Sequence, residues 1–206
     1  MKILLIGATG MIGSRIAAEA RARGHEVTPA SRSGKDGIAL DVTDPAAVTA
    51  AAAGHDAVVS AISPPRDGSD PAAPLLAAYR SLLDGLRVAA VRRLIVVGGA
   101  GSLRTPSGQD RVDTPDFHEL YKPEALAQRE VLRLLRADAG DLDWTYVSPA
   151  DVITPGERTG TFRLGRDDLL YAPDGSSRIS AEDYAVALVD EAEKGEAIRR
   201  RITVAY

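Results

Sequence analysis

The fold of this chain is decided near its start by Ile3-Leu4-Leu5-Ile6-Gly7-Ala8-Thr9-Gly10-Met11-Ile12-Gly13. The four apolar residues that open this stretch predict a strand that is buried on both faces. From Met11 to Arg23 the apolar residues recur at helical spacing, and Gly24 is a typical residue for ending such a helix. The three glycines therefore occupy the turn between a buried strand and a helix.

This placement gives the glycines a chemical meaning. A Cβ at Gly7 or Gly10 would obstruct the tight turn or the approach of a pyrophosphate, and a Cβ at Gly13 would hold the helix away from the strand. Backbone amides at a helix N-terminus, with its partial positive charge, favour phosphate groups. A purely structural tight turn is the alternative, but a turn that opens a β-α-β run favours dinucleotide binding.

The rest of the chain continues this alternation. Further strands are predicted over 26–30, 37–40, 56–61, 94–97, 143–148 and 202–205, and helices over 44–52, 75–86, from 123 onward and over 180–193. Strands that alternate with helices imply parallel strands joined by right-handed crossovers. No linker separates two cores, so residues 1–206 are expected to form one NAD(P)-binding α/β domain. Its fold class is a Rossmann-type, doubly wound and mainly parallel sheet with helices on both faces.

Composition excludes several other classes. The net charge of −4 provides no basic surface for nucleic acid, and the absence of cysteine removes disulfides and thiolate chemistry. The three histidines, at positions 25, 55 and 118, lack the spacing of metal ligands, so no metal is expected. No apolar stretch approaches the roughly 20 residues that span a bilayer. The apolar run near the N-terminus is too short for a secretion signal, so we expect no membrane association and a cytoplasmic protein.

The end of the second strand favours NADP(H) over NAD(H). An NAD site places an acid there to hold the ribose hydroxyls, whereas the stretch from Pro29 to Ser33 contains none. Arg32 can pair with a 2′-phosphate, with hydrogen bonds added by Ser31 and Ser33. The alternative is that Arg32 is a solvated loop residue. For Arg15, a surface position and a phosphate contact remain equally open.

Other cofactor contacts are expected where the following strands end. Asp41 and Val42 follow the short third strand, where such folds usually meet the adenine edge, although Asp41 could equally be a turn or cap residue. The complete set of predicted cofactor-binding residues is Gly7, Thr9, Gly10, Met11, Ile12, Gly13, Arg32, Asp41, Val42, Ala61, Ile62, Gly98, Gly99, Ala100 and Pro149.

The spacing G-x-x-G-x-x-G, in the form Gly-Ala-Thr-Gly, resembles the short-chain and extended dehydrogenase/reductase superfamily. Typical members use a Tyr-x-x-x-Lys pair, in which lysine lowers the pKa of the tyrosine. The residues four positions after the first five tyrosines are Leu83, Ala125, Ala150, Gly175 and Leu188, and Tyr206 ends the sequence. No such pair exists, so the usual dehydrogenase mechanism is not supported.

Five stretches carry a closer resemblance: Gly7 to Arg15, Val97 to Leu103, Leu142 to Ala150, Pro155 to Gly160 and Ile179 to Ala185. Together they are similar to an atypical group of NAD(P)H-binding proteins labelled NADH-flavin reductases, which are related to biliverdin/flavin reductases and NmrA-like regulators. The similarity covers nearly the whole chain. It implies a Rossmann-type fold, bound NADP(H) and, in some members, hydride transfer to flavin or quinone-like acceptors, while some relatives only sense the cofactor.

Candidate catalytic residues follow the fifth strand. Ser102 could hold a substrate oxygen, or it could stabilise a turn. Tyr121 could place its phenol over the nicotinamide, or it could pack beside a helix start as a hydrophobic staple. Arg158 could bind an acidic substrate group, with an internal salt bridge to Glu157 or a nearby acid as the alternative. The acceptor pocket is expected mainly from loops 63–71, 98–121 and 149–180.

These observations lead to three hypotheses. The favoured one is an NADP(H)-dependent oxidoreductase that passes hydride to a flavin, quinone or similar small conjugated acceptor, with FMN or FAD as a substrate rather than a prosthetic group. Such an acceptor delocalises charge and takes its proton from solvent, so the protein mainly supplies orientation. The alternatives are a non-catalytic NADP-binding redox sensor, which alone would require a protein partner, and a nucleotide-sugar epimerase or reductase.

Overall fold

A computed structural model describes residues 1–64 and 68–206. In chain order the helices and strands are β1 (Lys2–Ile6), α1 (Met11–Ala22), β2 (Glu26–Ser31), β3 (Ile38–Ala39), α2 (Pro45–Ala52), β4 (Ala57–Ser60), α3 (Ala72–Val88), β5 (Arg93–Val97), α4 (Lys122–Asp138), β6 (Asp143–Pro149), β7 (Val152–Thr154), β8 (Arg163–Gly165), β9 (Arg178–Ser180), α5 (Ala181–Lys194) and β10 (Arg200–Ala205).

The central sheet has eight strands in the order β3-β2-β1-β4-β5-β6-β10-β8. All neighbouring pairs are parallel except β10 and β8, which are antiparallel. The chain winds outward from β1 in both directions, so a change of winding direction lies between β1 and β4. In open α/β sheets, ligands bind at the carboxyl ends of the strands beside such a point. The predicted Rossmann-type fold class is confirmed.

Two apolar layers hold the helices against this sheet. One is formed with α2, α3 and α4 and includes Leu4, Tyr79 and Trp144, and the other is formed with α1 and α5 and includes Ile3, Ile16 and Leu188. Alternate residues of β1 enter opposite layers, as expected for a strand that is buried on both faces.

Local signals place the helix starts. Asp44 accepts a hydrogen bond from the amide of Ala46 at the start of α2, and Ser180 accepts one from Asp183 at the start of α5. Both residues act as the N-caps that the sequence predicts. Sequence reasoning missed the three short strands β7, β8 and β9 within the region from 150 to 180. Strands of three residues are too short to show a period in the sequence.

Candidate cofactor and acceptor site

Two of the three glycines in the β1–α1 turn are required by packing. Gly7 has a φ of +82°, and a Cβ there would lie 2.4 Å from the carbonyl oxygen of Ala61. A Cβ on Gly13 would lie 2.1 Å from the carbonyl oxygen of Gly7. Both obstacles are backbone atoms, which cannot rotate away as a side chain can. These glycines therefore allow β1, β4 and α1 to approach one another.

Gly10 has no comparable internal reason. Its φ of −74° is ordinary, and the nearest obstacle to a Cβ within the described residues is the carbonyl oxygen of Gly7 at 3.4 Å. The residue is also exposed. A glycine that the chain itself does not require fits a position where a ligand must approach the backbone closely. The structure thus separates Gly10 from the two packing glycines.

The start of α1 offers unused hydrogen-bond donors beside Gly10. The first helical bond runs from the amide of Ser14 to the carbonyl oxygen of Gly10, at 3.0 Å, and Gly10 supplies no side-chain cap. Over residues 1–64 and 68–206, the amides of Met11, Ile12 and Gly13 have no hydrogen-bond acceptor. Three free amides at the positive end of a helix dipole suit the phosphates of a dinucleotide.

Arg32 directly follows β2 at the same edge of the sheet. β1 and β2 are neighbours at this end of the sheet. The amide of Gly7, just after β1, donates to the carbonyl oxygen of Ala30 in β2 at 2.9 Å. Arg32 is exposed and has no ion pair or hydrogen bond to any part of the chain that the structure describes. Arg15 differs, because its Nε lies 2.6 Å from Glu182 in an internal ion pair. Of these two arginines, only Arg32 lacks a side-chain partner among the described residues.

The serines beside Arg32 add hydrogen-bonding capacity. The hydroxyl oxygen of Ser31 is buried and lacks a partner among the described residues, whereas Ser33 accepts from the amide of Lys35 at 3.4 Å. A buried hydroxyl without a partner costs free energy unless a ligand or water satisfies it. Ser31 is therefore a further group at this edge that a bound phosphate could satisfy.

Asp41 forms the turn that precedes α2. Its Oδ1 accepts from the hydroxyl of Thr43 at 2.7 Å and from the amide of Thr43 at 2.9 Å, and these bonds hold the pKa of Asp41 below its usual value. Val42 is partly buried against the layer of α2, α3 and α4. The structure records the turn role that was the alternative for Asp41, and its contact with adenine stays a prediction.

The remaining predicted cofactor residues lie where β4, β5 and β6 end. The amide of Ala61 donates to Ile6 and that of Gly98 donates to Val147, each at 2.8 Å. Because these strands are parallel, Gly7, Ala61, Gly98 and Pro149 share one edge of the sheet. That edge also carries Ile62, Gly99 and Ala100.

Gly98 and Gly99 also have a packing role around Tyr146. A Cβ on Gly98 would lie 2.2 Å from the Tyr146 ring, and the amide of Gly99 donates to the Tyr146 hydroxyl at 3.0 Å. The Tyr146 ring thus explains the glycine at position 98, whereas a Cβ on Gly99 would lie an ordinary 3.4 Å from Gln128. The predicted cofactor contact of Gly98 and Gly99 stays a prediction.

The hydroxyl of Ser102 is engaged inside the protein. Arg201 donates from Nη1 to the Ser102 Oγ at 2.9 Å and to its carbonyl oxygen at 2.8 Å, and Ser102 is only 7% exposed. The guanidinium of Arg201 also pairs with Asp167 at 2.6 Å. The structure therefore records the turn-stabilising alternative for Ser102, and a substrate contact stays a prediction.

Tyr121 lies directly before α4 and is 56% exposed. Its ring lies 5.5 Å from that of His118. The residue four positions after Tyr121 is Ala125. It packs closely against Gly101, where an added Cβ would lie 2.7 Å from the Cβ of Ala125. Position 125 thus carries a small residue with close neighbours and not a lysine. Tyr121 is accessible to a ligand, and its place over nicotinamide stays a prediction.

Three other tyrosines are unsuited to proton transfer. Burial raises the pKa of Tyr146 to about 12 and raises those of Tyr79 and Tyr184 further above their usual value. The hydroxyl of Tyr184 donates to the carbonyl oxygen of Val147 at 2.6 Å. These phenols remain protonated at neutral pH, and their role is to connect helices to the sheet.

A cavity of about 580 Å³ opens where the predicted acceptor loops converge beyond the carboxyl end of β6. It is lined by Thr105, Pro106, Ser107, Arg111, Thr114, Asp116, Asp151, Val152, Tyr171, Gly175, Ser176, Ser177 and Arg178. All of these residues belong to loops 98–121 and 149–180. Of the third predicted loop, 63–71, residues 65–67 lie outside the described part of the chain.

Arg111 fixes one wall of this cavity. Its Nε and Nη2 each lie 3.0 Å from a carboxylate oxygen of Asp151, and Nη1 lies 3.0 Å from Asp116. Burial alone would lower the pKa of Arg111, but the hydrogen bonds that it donates to Asp151 outweigh this effect and raise that pKa. Sequence reasoning missed this residue, because its partner Asp151 is 40 positions away.

A smaller cavity of about 350 Å³ lies between the start of α3 and the start of α4. Its lining includes Asp70, Glu119, Lys122 and Leu126. Two of its lining residues, Glu119 and Lys122, lie close to Tyr121 in the sequence, but no predicted site residue lines this cavity.

Arg158 forms an internal salt bridge, which is one of the two roles that the sequence predicts for it. The partner is Glu19 of α1 rather than Glu157. The two residues after Arg158 bind α5. The hydroxyl of Thr159 and the amide of Gly160 donate to the buried Asp183 at 2.6 and 2.7 Å. Burial would raise the pKa of Asp183, but these hydrogen bonds lower it overall. The loop after β7 is thus attached to α1 and α5.

Neither a metal site nor a membrane span was found in the described ranges. No group of three or more histidine, aspartate or glutamate side chains there could hold a metal ion. No helix in the same ranges is long and apolar enough to cross a bilayer.

Comparison with known proteins identifies the family and supports the fold. A family model described as NAD(P)H-binding matches residues 7–194. A solved structure from Burkholderia pseudomallei, described as a "putative exported protein", is 51% identical over all of both chains with a TM-score of 0.90. A "putative NADH-flavin reductase" from Streptococcus pneumoniae is 37% identical over 100% of this chain and 99% of that one, with a TM-score of 0.82.

A third solved structure, a "putative epimerase" from Bacteroides thetaiotaomicron, is 36% identical over 100% of this chain and 96% of that one, with a TM-score of 0.89. The names given to these similar chains differ in activity and in cellular location. What they share with this chain is the fold, and the cytoplasmic location stays a prediction.

Proposed function

Because this chain belongs to the NAD(P)H-binding family, we propose that it is an NADP(H)-dependent oxidoreductase that transfers hydride to a flavin, quinone or similar conjugated acceptor. The observation that carries the preference for NADP(H) is Arg32, an exposed cation without a partner among the described residues. It follows β2, where an NAD-specific site would place an acid. A guanidinium suits a 2′-phosphate because it can donate two parallel hydrogen bonds.

The residues of the β1–α1 turn fit the rest of the dinucleotide. The free amides of Met11, Ile12 and Gly13 would hold the pyrophosphate, and the absent side chain of Gly10 would let it approach. The buried hydroxyl of Ser31 would complete the phosphate site beside Arg32. When bound, the reduced nicotinamide supplies the hydride.

A conjugated acceptor agrees with the acid–base groups that the structure describes. No Tyr-x-x-x-Lys pair exists in the sequence, and Tyr79, Tyr146 and Tyr184 are buried with raised pKa values. A carbonyl substrate needs a proton donor as charge develops on its oxygen. A flavin or quinone spreads that charge over its rings and takes the proton from solvent, so the loops need only orient it.

The direct test mixes the purified protein with NADPH or NADH and with FMN, FAD or a simple quinone. Loss of absorbance at the reduced-nicotinamide band measures turnover, and we expect NADPH to support it better than NADH. Tight NADP binding without turnover on any acceptor would replace this proposal with a redox sensor that signals to a protein partner. Equal affinity for NADPH and NADH would remove the NADP preference.

A further inference from the structure

We propose that the 580 Å³ cavity selects acceptors that combine a flat apolar ring with an anionic group, and that Arg178 binds the anionic group. This inference rests on the proposed function, because it describes the substrate of the same reductase. The cavity volume lies within the usual range for a small-molecule pocket. Its wall begins at Asp151, two residues after the predicted cofactor-binding residue Pro149, so at most about 7 Å of chain separates the two.

The first argument is the distribution of charge. The lining contains two arginines and two acids, and Arg111 pairs with both acids, Asp116 and Asp151, at 3.0 Å. Arg178 is exposed, and its guanidinium has no hydrogen bond or ion pair to the described residues. Asp174, the nearby acid that feels its charge, is bound instead by the amide and hydroxyl of Ser176, at 2.9 and 2.7 Å. Arg178 is therefore the unpaired cation of this lining.

The second argument is a hydrogen-bond donor next to Arg178. Ser177 is 7% exposed, lines the cavity and accepts a hydrogen bond from the amide of Asp151 at 3.1 Å. Its own hydroxyl proton has no acceptor within residues 1–64 and 68–206. A phosphate or carboxylate held by Arg178 could accept that proton as well. A guanidinium beside a hydroxyl donor suits an oxyanion better than a neutral ring.

The third argument is the apolar surface beside this cation. Arg178 is paired in register with Val152 in the β7–β9 sheet, so both side chains lie on one face. On the opposite face, Ile153 and Ile179 pack into the layer of α1 and α5. Val152 is 53% exposed and Tyr171 is 37% exposed, and both line the cavity. A flat aromatic ring would cover these side chains while its charged group reached Arg178.

Riboflavin and FMN provide a matched pair of probes, because they share one ring system and differ by a phosphate. The experiment titrates each flavin into the full chain saturated with NADP⁺ and follows flavin fluorescence. We expect FMN to bind about tenfold more tightly than riboflavin, in line with one charge-assisted contact. Arg178→Gln should remove most of that advantage without changing the affinity for riboflavin, and Arg178→Lys should retain part of it.

The control is Arg21→Gln. Arg21 is also an exposed arginine without an ion pair in the described part of the chain, but it lies in the last turn of α1, at the other edge of the sheet. Equal affinity for the two flavins in the unmodified protein, absence of binding by either flavin, or equal losses in the Arg178→Gln and Arg21→Gln variants would each overturn the inference. FMN binding that depends on Arg178 but is accompanied by no turnover would support this site while contradicting the proposed reductase activity.

Discussion

Arg158 donates two hydrogen bonds to Glu19, from Nε at 2.7 Å and from Nη2 at 2.8 Å, across 139 positions of sequence. Glu19 lies in α1, the helix whose N-terminus faces the proposed cofactor phosphates, and its side chain is only 7% exposed. It also accepts from Arg23, one helical turn later, at 2.8 Å. The pair therefore attaches the loop that follows β7 to α1.

Replacing Glu19 should destabilise the fold more than replacing an exposed acid. Glu19→Gln leaves Arg23 and Arg158 without their shared carboxylate, and we expect the free energy of unfolding to fall by about 2 kcal/mol. Urea denaturation measures this change. Glu130→Gln is the matched control, because Glu130 pairs with the exposed Arg133 and should change stability by less than about 0.5 kcal/mol. Equal effects of the two variants would contradict the importance of the Glu19 pair.

The same carboxylate makes stability depend on pH in the acid range. Hydrogen bonds from Arg158, with help from Arg23, lower the pKa of Glu19 from 4.5 to about 2. A lowered folded-state pKa means that this stabilisation is complete above about pH 4.5 and is lost as the pH falls toward 2. The stability difference between the unmodified protein and Glu19→Gln should therefore narrow below pH 4.5. If the stability difference between the two proteins stays constant from pH 4.5 down to pH 3, the pKa of Glu19 in the folded protein is not lowered.

Alanine substitutions at Gly13 and Gly10 should affect different properties, the first the stability of the fold and the second the affinity for NADPH. Gly13→Ala places a methyl group against the carbonyl oxygen of Gly7 and should cost about 1–3 kcal/mol of stability. Gly10→Ala meets no such obstacle, so its stability should change by less than about 0.5 kcal/mol. Its affinity for NADPH should nevertheless fall about tenfold or more, because the methyl group would stand where the pyrophosphate approaches. Thermal denaturation and NADPH titration measure the two effects. Unchanged NADPH binding by a stable Gly10→Ala protein would rule out this placement of the phosphates.

Arg32 should determine the choice of cofactor. Arg32→Gln removes the proposed partner of the 2′-phosphate and should weaken NADPH binding about tenfold, while NADH binding changes by less than about threefold. Arg32→Asp should narrow the NADPH advantage further, since an acid repels the phosphate and can hold the ribose hydroxyls of NADH. Isothermal titration with both cofactors gives the ratio, and Arg21→Gln is again the control. If the ratio is the same in all of these proteins, Arg32 does not contact the cofactor.

Tyr121 should contribute a surface rather than a proton. Tyr121→Phe keeps the exposed ring at the start of α4, so kcat with a quinone or flavin should stay within about threefold of the unmodified enzyme. Tyr121→Ala removes the ring and should raise KM for the acceptor by several fold, with a smaller effect on kcat. Steady-state kinetics at saturating NADPH distinguishes these outcomes. A hundredfold loss of kcat in Tyr121→Phe would instead identify the phenol as a proton donor.

The sequence alone determined the parallel α/β architecture, because a four-residue apolar run and a glycine turn at fixed spacing are local signals that few other folds satisfy. It also placed the caps Asp44 and Ser180, since an N-cap acts on amides two or three residues away. The absent tyrosine–lysine pair and the missing acid after β2 likewise follow from counting along the chain.

Only the tertiary structure decided which polar side chains remain available to a ligand. In the sequence, Arg15, Arg32, Ser102 and Arg158 are all candidate ligand contacts, and Arg32 is the favoured one. In the fold, Arg15 pairs with Glu182, Ser102 accepts a hydrogen bond from Arg201, and Arg158 pairs with Glu19. The side chain of Arg32 has no partner in the described chain. The physical reason is separation, because 167, 99 and 139 positions lie between these partners and no local pattern records such contacts. The glycine turn is where the sequence predicts a dinucleotide, and long-range contacts determine which polar side chains remain without a partner in the described chain.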